Sequence, residues 1–148
     1  MSKTITVSKA IGEAMHEEML RDKDVFIMGE DMGVMGNVFG ITKGFRDEFG
    51  ADRAIDTPIS EEGCCGMAVG AAMRGMRPVV ELMYNDFVTE AADPIFNQAA
   101  KLRYMSGGQC KIPMVLRVPM GSGRRNAGQH SQSLENLFCH FPGLKVIA

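Results

Sequence analysis

IDTPISEEGCCGMAVGAAMRGMRP, from Ile55 to Pro78, reads as a strand end, a turn, an apolar helix and a second turn. Pro58 disfavours helix at Thr57, Ser60 is placed to cap the helix that follows, and Gly75 with Pro78 stops it. Between those signals, from Cys64 to Met73, every residue is apolar or small, so the helix is expected to be covered on every side. Gly66 and Gly70 lie four apart on one face, where two backbones can approach closely. Glu61 and Glu62 are the carboxylates at the head of this element. The simplest reading is that both answer the positive end of the helix dipole, an effect of roughly 0.3–1 kcal/mol; the sharper reading makes one of them a working group.

The surrounding chain is that of one ordinary domain. Its 148 residues carry a formal net charge of −2, with no basic excess to suggest nucleic acid. No apolar run reaches the ~20 residues of a membrane span. MSKTITVSKA has neither the apolar core of a signal peptide nor an arginine-rich amphipathic pattern, which makes the cytoplasm the expected compartment. Cys64, Cys65, Cys110 and Cys139 show no C-x-x-C spacing, so buried free thiols are expected rather than disulfides or a metal site.

Outward from the central stretch, strand and helix alternate. Val7, Ile11, Ala14, Met15 and Met19 form an apolar stripe opposite Lys9, Glu13, Glu17 and Arg21. Val25 to Gly29 is a continuous apolar run of the kind found inside a parallel sheet. Glu30 and Asp31 follow it, then a loop spaced with Gly33, Gly36, Gly40 and Gly44 that matches neither G-x-G-x-x-G nor a Walker A loop. GFRDEFG (44–50) makes a short helix and Arg53 to Asp56 a strand. Beyond the central helix come a strand over Arg77–Met83, a loop at Asn85-Asp86-Phe87 and a long helix over Glu90–Tyr104. A strand over Met114–Pro119, the polar loop Gly121–Gln132, a short helix opened by Ser133 and a last strand over Leu144–Ala148 complete the chain. The expected fold is α/β, a doubly wound parallel sheet with helices on both faces. In such folds ligands sit beyond the carboxyl ends of the strands, which singles out Glu61, the loop from Tyr84 to Phe87 and the loop from Gly121 to Gln132.

DTPISE followed by GMAVGAAMRGMRPVVEL, then FNQAAKLRYMSGG, then QHSQ and PGLKV, resembles the beta subunit of the thiamine-diphosphate-dependent decarboxylating component of 2-oxo acid dehydrogenase complexes, of pyruvate, branched-chain or acetoin type. The resemblance runs from about Ile5 to Ala148 and implies one pyrimidine-binding domain over 1–148, with the family's second, carboxyl-terminal domain absent. It implies that Glu61 hydrogen-bonds a ring nitrogen of the cofactor's aminopyrimidine, favouring the imino form that takes the proton from the thiazolium carbon. Met83 and Phe87 match residues lining the aminopyrimidine pocket, and His130 matches an active-site histidine. Diphosphate and magnesium would be held by an alpha subunit, leaving no metal ligands here. An alpha-beta heterotetramer or self-association, and a lipoyl-bearing acyltransferase as acceptor, are the implied partners; nucleic acid and membrane are not. A binding or regulatory module that keeps the fold and interface without turnover is the alternative.

Other residues take plainer readings. Glu62 matches no family acid and is expected at a helix end or on the surface. Ser131 beside His130 lacks the G-x-S-x-G elbow of a hydrolase. His16 and His140 read as surface residues, and Met28, Met67, Met73 and Met114 as core filler. Arg124-Arg125-Asn126 is more polar than this loop requires; solvated charge is the plain reading and contact with an anionic substrate or partner the other, which leaves the substrate open.

Overall fold

The computed structural model describes residues 4–148. Four parallel strands stand in the order β2-β1-β3-β4: β1 (Val25–Gly29), β2 (Ala54–Asp56), β3 (Arg77–Glu81) and β4 (Val115–Arg117). Register is set by Met28 opposite both Ile55 and Val80, and by Val80 opposite Leu116. The β1 run is apolar throughout because both of its faces are covered, and all five of its residues are buried. Alternate side chains then separate into two layers. Val25 and Ile27 join Met15 and Met19 of α1 (Val7–Arg21) and Phe45 of α2 (Phe45–Phe49), whereas Phe26 and Met28 join Cys64 and Ala68 of α3 (Glu61–Met73) and Val80. Each fully buried side chain of this size contributes about 1.5–3 kcal/mol, which makes β1 the spine of the fold. A third cluster, with Cys65, Leu82, Ile95, Phe96 and Phe138, ties the last third of the chain to the α3 side.

Local signals place most of these elements. Ser60 Oγ accepts from the Gly63 N–H, capping α3, and Thr6 does the same for Lys9 in α1. Asp56, at the end of β2, accepts from the Gly33 and Val34 N–H groups at 2.6 and 3.1 Å and pairs with Arg46 at 3.0 Å, pinning the long loop after β1. Gly29, with φ 156°, lets β1 close on β3: a Cβ there would stand 2.6 Å from the Glu81 carbonyl oxygen.

Several expectations need correction. The helix expected over Glu90–Tyr104 starts at Ala92 and is not a regular α-helix: it runs as a π-helix over Asp93–Ala99 and passes without a break into α4, Ala100–Met105. Pro94 removes one backbone donor, and Asp93 instead gathers the side chains of Asn97 at 2.7 Å and Gln98 at 3.0 Å, the latter a spacing of five residues that suits the wider turn. The loop at Asn85 is a 3-10 turn over Asn85–Thr89. The helix after Ser133 runs Glu135–Cys139 (α5) with no side-chain cap. No strand forms over 144–148; Leu144 packs into the third cluster and the residues after it are exposed, with no ladder partner. The α3 helix is not covered all round, since Gly66, Met67, Gly70 and Met73 face outward, so Met67 and Met73 are not core filler. In α1, Met15 and Met19 are buried but Val7 and Ala14 are exposed.

Candidate functional site

The strand order 2-1-3-4 reverses direction between β1 and β3, and this switch point is the position at which such sheets bind ligands, in a crevice between the loops that leave the carboxyl ends of those strands. Two loops line it. After β1 come Glu30, Asp31 and the segment to Phe39; after β3 come Met83, Tyr84 and the 3-10 turn bearing Phe87. They meet where the Phe39 and Tyr84 rings pack edge to face, centroids 6.1 Å apart.

The aromatic contact extends into the loop after β4. His130 lies 4.8 Å from the Tyr84 ring and 5.1 Å from Phe87, both edge to face, and Tyr84 and Phe87 contact each other at 6.3 Å. Polar contacts hold that loop in place. Asn126 Nδ2 donates to the Tyr84 hydroxyl at 3.2 Å, the Gln132 N–H donates to Asp86 Oδ1 at 3.1 Å, and the Gly121 N–H donates to the Gln132 carbonyl at 3.0 Å. Asp86 Oδ2 and Asn85 Oδ1 are buried without a protein partner, acceptors of the kind a ligand or ordered water satisfies.

A second group sits at the ends of β1 and α3. Glu61, half-buried in the first turn of α3, lies close enough to Glu30 to raise the latter's pKa. Burial is the larger cause of that rise, Glu61 the next and Asp31 the third, while the Ser60 backbone N–H acts in the opposite direction. Cys64, one helical turn on, is pushed up to about 11, first by burial and further by Glu30 and Glu61; Cys65 is pushed up to about 12, again chiefly by burial. Both are inert thiols at neutral pH. Cys110 is half-buried and Cys139 exposed, so the four free cysteines are not all buried.

Behind the crevice lies a buried polar cluster. Glu81, the last residue of β3, is 1 % exposed at its side chain and pairs with Arg117, its register partner on β4. Asn37 Nδ2 donates to both Glu81 carboxylate oxygens at 2.9 and 3.1 Å. Asn37 Oδ1 accepts from the Phe39 and Ile41 N–H groups, so Glu81 fixes the segment that carries Phe39.

The structure thus brings Phe87 and His130 together and puts Glu61 beside Glu30 on the same carboxyl edge of the sheet. Met83 is half-buried between β3 and Tyr84. Glu62 is exposed. Tyr84 was singled out only as part of its loop, and Glu30, Phe39 and the Glu81-Arg117-Asn37 cluster were not singled out from sequence; an acid directly after an all-apolar strand was the available signal for Glu30, and none marked Asn37. His16 is no bare surface residue: it bonds Glu48 at 2.8 Å and packs against Phe45 and Phe49. Two open concavities of about 360 and 420 Å³ lie along α1 and α2, and neither is lined by Glu61, Met83, Phe87 or His130. Among the described residues no three His, Cys, Asp or Glu side chains gather to hold a metal, and no helix is long and apolar enough to cross a membrane.

Residues 3–148 match the model of the transketolase pyrimidine-binding domain. The chain is 51% identical over 97% of its length to the pyruvate dehydrogenase E1 component subunit beta of Rickettsia felis, covering 44% of that protein. It is 45% identical over 99% of its length to the acetoin:2,6-dichlorophenolindophenol oxidoreductase subunit beta of Bacillus subtilis, covering 46%, and 46% identical over 93% to the 2-oxoisovalerate dehydrogenase subunit beta of the same organism, covering 42%. It therefore spans less than half the length of these relatives. The parallel sheet, the crevice at its switch point and the match along the whole described chain lead to one conclusion: this chain belongs to the transketolase pyrimidine-binding domain family.

Proposed function

We propose that this chain is the pyrimidine-binding domain of the beta subunit of a thiamine-diphosphate-dependent 2-oxo acid or acetoin dehydrogenase, completed by an alpha subunit that holds diphosphate and magnesium. The observation that carries the reading is the cluster of the Tyr84, Phe87 and His130 rings at the carboxyl edge of the sheet, the edge that also bears Glu61 at the head of α3. These residues fit an aminopyrimidine. Glu61 offers a half-buried carboxyl to a ring nitrogen, Phe87 and Met83 offer an apolar wall, and the orphaned acceptors on Asp86 and Asn85 suit an exocyclic amino group. When bound, the cofactor supplies a carbon nucleophile and an electron sink for cleavage next to a carbonyl.

The chain's own residues do the rest. Glu61 hydrogen-bonds the ring nitrogen, and its carboxylate also acts on the neighbouring Glu30, whose pKa is raised first by burial and then by Glu61. Phe87 and Tyr84 shield the ring from water. His130, held edge-on by both, is placed to hydrogen-bond substrate or to serve the later transfer to a lipoyl acceptor.

The test belongs in the assembled enzyme. Glu61→Gln keeps size and a hydrogen bond but cannot share the acidic proton, so hydrogen–deuterium exchange at the thiazolium carbon should slow by roughly 10²–10⁴-fold, the range of a positioned acid–base group. His130→Ala should leave that exchange largely intact and lower turnover. Exchange abolished in Glu62→Gln and unchanged in Glu61→Gln would show that the wrong carboxylate has been chosen.

A further inference from the structure

The loop after β4 leaves the sheet and returns to it through a circuit of three hydrogen bonds. The Asn85 N–H, at the head of the 3-10 turn after β3, donates to the Pro119 carbonyl at 2.9 Å. Two residues beyond Pro119, the Gly121 N–H donates to the Gln132 carbonyl at 3.0 Å, and the Gln132 N–H donates to Asp86 Oδ1 at 3.1 Å, which brings the circuit back to the turn. The first two links join backbone to backbone and do not depend on side-chain identity. The third is made by the Asp86 side chain. Residues 122–129 stand exposed, and burial returns at His130, two residues before the closing link. The His130 ring then packs edge to face on Tyr84 and Phe87, the residues that flank Asn85 and Asp86.

A carboxylate is a demanding way to tie a loop. Asp86 is 8 % exposed, no cation pairs with it among the described residues, its protein partner is the neutral Gln132 N–H, and its Oδ2 is buried without a donor. Burial on those terms opposes folding. What it adds is strength in the one link that needs it, since a charged acceptor holds an N–H about twice as firmly as a neutral one.

We infer that Asp86 is a positioning residue for His130: by closing the loop through the Gln132 N–H it holds the imidazole against Tyr84 and Phe87, where the proposed reaction uses it; the inference rests on the function proposed above. Asp86 acts here through Oδ1 and leaves Oδ2 as the free acceptor. The physical reason is conformational entropy. An exposed loop containing Gly123 and Gly128 samples many conformations unless its ends are fixed, and two edge-to-face ring contacts orient an imidazole only when its backbone is already in place. The exposed bond from Asn126 to the Tyr84 hydroxyl is a second, weaker tie.

The first test needs no cofactor. In NMR spectra of the 148-residue chain, the His130 ring protons, assigned by their disappearance in His130→Ala, should show a ring-current displacement from Tyr84 and Phe87. Asp86→Ala should remove most of that displacement while His16, which packs on Phe45 and Phe49, keeps its own. Asp86→Asn, which retains an acceptor toward Gln132, should preserve it. The second test uses the assembled enzyme saturated with thiamine diphosphate. There kcat should fall roughly 10–100-fold in Asp86→Ala, the scale of a misplaced reacting group, and Asp86→Asn should recover most of the loss. Adding Asp86→Ala to His130→Ala should lower kcat no further, because a residue that acts through His130 then has nothing left to position. Should Asp86→Ala lose the His16 displacement and so fail to fold, Asp86→Ser, whose side chain is too short to reach the Gln132 N–H, carries the same expectations. An unmoved His130 resonance in the folded variant, losses that add to those of His130→Ala, or an Asp86→Asn as impaired as Asp86→Ala would each overturn the inference and leave the enzyme reading intact. Normal thiazolium exchange in Glu61→Gln would overturn that reading instead, and the resonance measurement would still decide whether Asp86 holds His130.

Discussion

Glu30 carries a cost at neutral pH that its neighbours impose. Burial, Glu61 and Asp31 together raise its pKa in the folded chain, so the folded state favours the protonated form more than the unfolded state does. The stabilising contribution is complete below the unfolded pKa and is lost as pH rises through the raised folded one. Glu30→Gln should therefore match the unmutated chain at low pH, become increasingly more stable than it as pH rises from the unfolded pKa to the raised folded one, and keep a constant advantage above that. Solvent screening at this part-exposed site holds the gain to a few tenths of a kcal/mol, which thermal melts at pH 4 and pH 7 can compare. Glu81 presents the opposite case. Its charge is fully buried and balanced by Arg117 and Asn37, so Arg117→Met leaves an unpaired buried carboxylate and should destabilise by about 3–5 kcal/mol. Denaturant unfolding of Arg117→Met against the double variant Arg117→Met/Glu81→Leu separates the stranded charge from lost packing, and the double variant should recover most of the loss.

At the scale of the element, α3 is the informative one. Its inner face, Cys64, Cys65, Ala68, Val69 and Ala72, is buried against the sheet and the π-helix segment, and its outer face is a shallow stripe of Gly63, Gly66, Met67, Gly70 and Met73. A Cβ at Gly66 or Gly70 meets nothing within 4 Å, so neither glycine is required by this chain's own packing. Gly70→Ala should raise the stability of the isolated chain by roughly 0.5–1 kcal/mol through reduced backbone entropy in the unfolded state. If the stripe is covered in the assembly, the same substitution should weaken association, an opposition of sign that thermal melting and sedimentation can read on one sample. Removing the cap by Ser60→Ala should cost about 0.5–2 kcal/mol and also disturb the entry geometry of Glu61, the residue next to it.

At the scale of the molecule, the exposed α3 stripe, the exposed edge strand β4 and a site lying in an open crevice all describe a surface suited to a partner. Sedimentation should show self-association, or complex formation on adding an alpha subunit; a stable monomer at high concentration that ignores that subunit would contradict the proposed assembly. The chain presents carboxyls and rings for an aminopyrimidine but no cluster of metal-ligating side chains among the described residues. Calorimetry on the isolated chain should accordingly find weak thiamine diphosphate binding with no magnesium dependence.

Much of the architecture was legible in the chain because it follows from local rules. The unbroken apolar run at β1 can persist only where both faces are covered, and Ser60, Gly75 and Pro78 act on their immediate neighbours, so the parallel sheet and the limits of α3 could be read without a structure. Glu61, Phe87 and His130 stood out through their place after strands and through long family motifs. Tertiary structure alone decided what touches what. The outward face of α3 and the unpaired chain after Leu144 depend on neighbours distant in sequence, which periodicity does not encode, and the π-helix at Asp93 turns on which side chains its carboxylate gathers, Asn97 and Gln98. Asn37 meets Glu81 and Arg124 meets Phe39 only because the strand order brings the loops after β1, β3 and β4 together, and Glu30 meets Glu61 because β2 lies beside β1. Composition determined that a buried parallel sheet would form; the order of its strands, a global property of the fold, determined which side chains share the site.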